Sequence, residues 1–76
     1  MKYIANVMLT KQGIKAMGGY ISNIYVTEMR YLKNEEMWKA KSDNREYLLS
    51  KESVLMIIKD PSDLEWVNKE LEKRSE

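Results

Sequence analysis

The chain has 76 residues, 13 Lys and Arg against 12 Asp and Glu for a net charge of +1, and no Cys, His or Phe. That length leaves room for a single core, since a chain of about 60 residues buries only roughly 60 % of its unfolded surface. Missing Cys excludes disulfides, thiolate zinc sites and thiol nucleophiles, and missing His removes the commonest general acid-base and metal ligand. No cofactor, metal site or catalytic residue is therefore expected.

Residues 2–9, Lys-Tyr-Ile-Ala-Asn-Val-Met-Leu, read as a strand. Asn6 interrupts this apolar stretch and no small-residue cleavage site follows it, so a signal peptide is not expected. The longest apolar run anywhere is the five residues Val54 to Ile58, well short of the roughly 20 of a membrane-spanning helix. A cytoplasmic protein follows as the expectation. Residues 10–19 form a short helix or loop, with Thr10 as cap of a helix from Lys11 to Met17 and Gly18 as its stop. A longer helix through Ile14, Met17, Ile21 and Ile24 is disfavoured by Gly18-Gly19, which would cost about 1 kcal/mol each in its interior.

Residues 20–59 read as a β-meander. A turn at Asp43-Asn44 places Lys41 opposite Glu46, Ala40 opposite Tyr47 and Trp38 opposite Leu49. A turn at Asn34-Glu35 independently places Leu32 opposite Met37, Tyr31 opposite Trp38, Met29 opposite Ala40 and Glu28 opposite Lys41. The two registers agree: Glu28, Lys41 and Glu46 share one face, while Tyr31, Trp38 and Leu49 share the other. A third turn at Lys51-Glu52 would fold residues 54–58 back beside the preceding strand, adding Val54 and Met56 to the aromatic face. Ser50 as the cap of a helix over residues 51–59 is the competing reading. After Asp60-Pro61 a helix spans 62–75, with Ser62 and Glu65 as a capping box, Glu65 to Lys69 as an i,i+4 pair, and Leu64, Val67 and Leu71 as its apolar stripe.

The expected fold class is α+β: a small antiparallel sheet, either a meander or an SH3-like partly closed barrel, with a C-terminal helix and one short helix near the N-terminus, in a single domain over 1–76. The four short strands with tight turns over about 24–58 resemble the layout of small SH3-like or Sm-like barrels.

Function is read from the faces. One helix can cover only one side of a sheet that carries apolar residues on both. The leading expectation is thus a non-enzymatic protein-binding module, acting on another protein or on itself, with Tyr31, Trp38 and Tyr47 as partner-binding anchors. Lys outnumbers Arg ten to three and Ala occurs three times, a bias that with the short length suits a phage, virus or mobile-element accessory or inhibitor protein. The alternative is a nucleic-acid-binding barrel. Residues 1–33 carry five cations to one anion, net +4, and residues 34–76 carry eight to eleven, net −3; Lys2, Lys11, Lys15, Arg30, Lys33 and Tyr25 of the basic part would then track phosphates and stack bases. Catalysis has little support. Glu35-Glu36 lie in a turn with nothing to desolvate them, Gly18-Gly19 lacks a phosphate loop's spacing, and Ser50, Ser53 and Ser62 have no His to activate them.

Overall fold

The computed structural model describes residues 2–75, with side chains to residue 73. Six strands and two helices follow in the order β1 (Ala5–Leu9), α1 (Lys11–Ala16), β2 (Asn23–Val26), β3 (Glu28–Leu32), β4 (Met37–Ser42), β5 (Arg45–Ser50), a 3-10 turn (Lys51–Ser53), β6 (Val54–Ile58) and α2 (Pro61–Ser75). They build two antiparallel three-stranded sheets, one ordered β2-β1-β6 and the other β3-β4-β5. The fold is α+β, with the strand order of an SH3-like barrel that does not close. Among the described residues no helix is long and apolar enough to cross a membrane.

The two sheets are joined at one corner. β2 and β3 are a single run of chain bent at Thr27, which is buried. The Thr27 N–H donates to the Lys41 carbonyl at 2.7 Å, and its hydroxyl donates to the same oxygen at 3.1 Å. Next to it the Ser42 hydroxyl donates to the Tyr25 carbonyl at 2.6 Å. The end of β4 thus receives the hydrogen bonds that the bend would otherwise leave unmade in a dry place.

Alternation decides the core. Ala5, Val7 and Leu9 of β1 are buried while Asn6 and Met8 are half-buried on the opposite face, the period-two pattern of a strand covered mainly on one side. Val7 lies opposite Ile24 of β2, and Ala5 opposite Val26. Ala40 and Leu49 close the core from the second sheet, with Met29, Trp38, Tyr47, Val54, Ile14 of α1 and its C-cap Met17 packed around it.

The hairpin registers are those the pairing of charges and aromatics implies: Glu28, Lys41 and Glu46 line one face, and Tyr31, Trp38 and Leu49 the other. The first turn spans four residues, 33–36, with Glu36 at φ 52°, and the second places Asp43 at φ 57°. The third turn differs from expectation. The 3-10 turn carries the chain across the barrel instead of back, so β6 pairs with β1 and not with β5.

Helix α1 is short and held at both ends. The Thr10 hydroxyl accepts from the Gly13 N–H at 3.2 Å and donates to the Glu52 carbonyl at 2.7 Å, while the Thr10 N–H donates to the Ser53 carbonyl at 2.9 Å. Gly18 at φ 91° ends the helix, with Gly19 N–H to the Ile14 carbonyl and Gly18 N–H to the Lys15 carbonyl, a Schellman arrangement. Gly13 is needed for another reason: a Cβ there would run into the Ser53 carbonyl.

Helix α2 starts earlier than the Ser62 capping box implies. Asp60 is the cap, its carboxylate accepting from the Ser62 N–H at 3.0 Å and its carbonyl from the Leu64 N–H. Pro61 then sits in the first turn, where its missing N–H costs nothing and its fixed φ suits the helix. Val67 and Leu71 are buried, and Leu64 is half-buried. Polar ties fix the helix to the sheet. The Asn68 side chain takes the Tyr3 N–H at 2.6 Å and donates to the Tyr3 carbonyl at 3.2 Å, as a neighbouring strand would. The Tyr25 hydroxyl donates to the Asp63 carboxylate at 2.7 Å, and the Tyr25 ring lies 6.0 Å from that of Tyr3.

Two outcomes follow. Gly13→Ala should destabilise the fold by about 1–3 kcal/mol, because the Ser53 carbonyl is backbone and cannot swing away; urea denaturation measures it. The Asp63 hydrogen bond, then burial, then the Asp63 charge push the Tyr25 phenol above its ordinary value of about 10. A raised folded value means that the contribution of this tie is complete below about pH 10 and is lost as pH climbs through the raised value. Tyr25→Phe should therefore cost about 1 kcal/mol at neutral pH and weaken the alkaline decline of the melting temperature.

Candidate functional site

An open sheet exposes unpaired backbone groups along its outer strands, and proteins usually place charge there to discourage unwanted pairing. Three of the exposed edges follow that rule or are short. β3 carries Glu28 and Arg30, β5 carries Arg45 and Glu46, and β2 has only four residues. β6 does not follow it. The sequence Val54-Leu55-Met56-Ile57-Ile58 contains no charge or polar group, and among the described residues β1 is its only neighbour in the sheet.

Its side chains are also unusually accessible. Leu55 is 63 % exposed, Met56 53 %, and Ile57 and Ile58 36 % each. Val54 lies opposite Leu9 and Met56 opposite Met8, so Leu55 is an extra residue at a bulge. Ile57 is opposite the buried Val7 and belongs to the inner face, while Met56 and Ile58 lie on the outer face. Apolar surface is therefore offered on both faces of the same strand and along its rim. Charges appear only at the two ends, Lys51 and Glu52 before the strand and Lys59 and Asp60 after it.

The aromatic residues read as anchors lie elsewhere. Trp38 and Tyr47 are half-buried on the inner face of the second sheet and pack against the core. Tyr31 meets Trp38 edge-on at 5.1 Å and 60°, and is 37 % exposed at the rim. Beside this rim Lys51 bonds Glu36 at 3.2 Å, and that hydrogen bond holds the Lys51 ammonium above its usual value.

The residues of the nucleic-acid reading are spread over several elements. Lys2 precedes β1 and borders a groove with α2, whereas Lys11 and Lys15 lie on α1 beyond the other end of β1. Arg30 is on the outer face of β3, Lys33 is in the following turn, and Tyr25 is engaged by Asp63 and Tyr3. A groove of about 440 Å³ runs beside Ile4 and β3, but its cations Arg30, Lys39 and Lys41 alternate with Glu28 and Glu46, and Lys39 is 3.9 Å from Glu46. Among the described residues no three carboxylates are grouped so as to hold a metal ion.

The apolar run at 54–58 is visible in the sequence, yet such a run ordinarily marks a strand covered on both faces. Only the crossing to β1 turns it into an edge. No protein-family model, curated protein or solved structure matches the chain.

Because Met56 is already half exposed, Met56→Lys should shift the unfolding free energy by no more than about 0.5 kcal/mol at low protein concentration. Leu49→Ala, in the buried core, should cost about 2–4 kcal/mol. Parallel urea titrations of the two variants measure the contrast.

Proposed function

We propose that the chain is a small non-enzymatic protein-binding module that works by strand addition at β6. The observation that carries this reading is a five-residue sheet edge with no charge in it and four side chains at least a third exposed. In strand addition the backbone of the incoming segment supplies affinity and its alternate side chains supply specificity. An edge with apolar groups on both faces suits that mode, because a paired strand can bury Met56 and Ile58 on one side and Ile57 on the other, with Leu55 exposed at the bulge between them.

The rest of the molecule serves as the support for this edge. Trp38 and Tyr47 contribute packing, and Tyr31 retains the surface to act as a secondary anchor at the rim. A compact adaptor of this kind, in the cytoplasm and encoded by a phage, virus or mobile element as an accessory or inhibitor protein, matches the length and the Lys-rich composition.

Selection of extended peptides from a display library on the immobilised protein, followed by backbone amide shift mapping, tests the reading. Shifts and new amide protection should concentrate on residues 54–58, and Leu55→Lys should abolish binding while leaving the circular dichroism spectrum unchanged. Binding that maps to Arg30, Lys39 and Lys41, or that survives Leu55→Lys, contradicts it.

A further inference from the structure

We infer that the cleft between helix α2 and the outer face of β2 is a binding site for a quaternary ammonium group carried by a small molecule. Tyr3, Tyr25 and Trp66 line it together with the Glu70 carboxylate, and the buried Val67 and Leu71 complete the lining. Three of the chain's seven aromatic residues thus meet around a space of about 290 Å³. The site is independent of the β6 edge, since β2 and β6 stand on opposite margins of the first sheet.

Strand and helix periodicities bring the rings together. Tyr25 lies opposite Asn6 and alternates with the buried Ile24 and Val26, so it points away from the core, and its hydroxyl reaches Asp63 of α2 at 2.7 Å. On the helix Asp63, Trp66, Val67 and Glu70 recur at i, i+3, i+4 and i+7, which puts them on one side. Tyr3 is held to Asn68 through both of its backbone groups, and its ring stands 6.0 Å from that of Tyr25 at an angle of 55°. The two rings are walls set at an angle and not a stack, and Trp66 supplies a third. Trp is on average a well-buried residue, yet Trp66 is 64 % exposed. Its indole is therefore available to a ligand.

The lining selects a cation. Aromatic faces are negative and attract one, most strongly at Trp, and among the described residues the only charged group lining the cleft is the Glu70 carboxylate. Lys73 meets that carboxylate at 3.5 Å from an exposed position, a pair weak enough to give way. Lys2 and Lys69 belong to an adjoining groove that shares only Tyr3 with this one. The kind of cation follows from the acceptors. A primary ammonium brings three N–H donors, and with Asp63 engaged by Tyr25 it would find Glu70 as its one carboxylate and leave other donors against rings and aliphatic carbon, which is costly. A quaternary ammonium has no N–H to satisfy and offers methyl groups to the rings. The volume lies at the small end of ligand sites, which suits a small free molecule.

The two tryptophans supply an internal control, because Trp66 lines the cleft while Trp38 packs against the core. Choline chloride, titrated against sodium chloride at equal ionic strength, should shift the Trp66 indole N–H resonance with a Kd below about 10 mM and leave that of Trp38 in place. The uncharged analogue of choline, with a quaternary carbon in place of the nitrogen, should bind at least about 10-fold more weakly. Trp66→Leu keeps the position apolar and should weaken choline at least about 5-fold, followed at the Tyr25 amide, with an unchanged circular dichroism spectrum. Trp66→Phe, which restores a ring, should recover part of that loss. No saturable shift up to about 100 mM choline, equal binding of the uncharged analogue, or indifference to Trp66→Leu overturns the proposal. A trimethyl-lysine peptide that binds in the cleft where choline does not overturns the assignment to a small molecule.

Discussion

The bend at Thr27 is the constraint on which the remaining structure depends. A strand that turns sharply between two sheets strands backbone groups in the interior, and here the Lys41 carbonyl takes both the N–H and the hydroxyl of Thr27 while Ser42 caps the Tyr25 carbonyl. Because the corner is made at the end of β4, the two sheets face each other across Val7, Val26, Ala40 and Leu49. Alanine at position 40 fits that arrangement: a larger side chain at a fully buried site this close to the corner would push the sheets apart.

The same corner explains why the barrel stays open. β2 pairs with β1, and β3 with β4, so the strands on either side of the bend are satisfied, but the last two strands are left on opposite margins. The 3-10 turn delivers β6 to β1, and α1 holds that turn in place through Thr10 and the close approach of Gly13 to Ser53. Helix α2 then ties to Tyr3 and Tyr25 through Asn68 and Asp63. The margin at Val54–Ile58 is consequently an apolar edge with no charge to guard it. Its accessibility follows from the topology and its composition from the sequence.

Local features of the fold were readable in the chain. The β3-β4-β5 registers follow from matching Glu28, Lys41 and Glu46 across neighbouring strands, since a slip of one residue would reverse every face. Thr10 and Gly18 marked the ends of α1 because capping is a property of a few adjacent residues. The cap of α2 was misplaced by two residues, from Asp60 to Ser62, since both sequences of polar residue and acidic follower satisfy the same local rule and Pro61 favours the earlier one. What adjacency misled was the partner of β6. A hairpin at Lys51-Glu52 is the shortest connection, but it would leave the inner face of β1 open at Leu9, which Val54 covers instead. The ties between Tyr25 and Asp63 and between Tyr3 and Asn68 join positions 38 and 65 residues apart, and no local pattern carries that information.

The candidate site shows the same division. The apolar run was evident, whereas its role as an edge was a consequence of non-local pairing; conversely Trp38 and Tyr47, attractive as anchors by residue type, line the core. The most direct measurement of the central claim, that β6 is an unoccupied edge awaiting a strand, is native-state amide exchange across residues 54–58 in the free chain and with a selected extended peptide added. The expected result is rapid exchange of the outward-facing β6 amides in the free chain, slowing as the peptide is added while β1 amides stay protected throughout. Uniform protection of β6 and β1 with and without the peptide would contradict it.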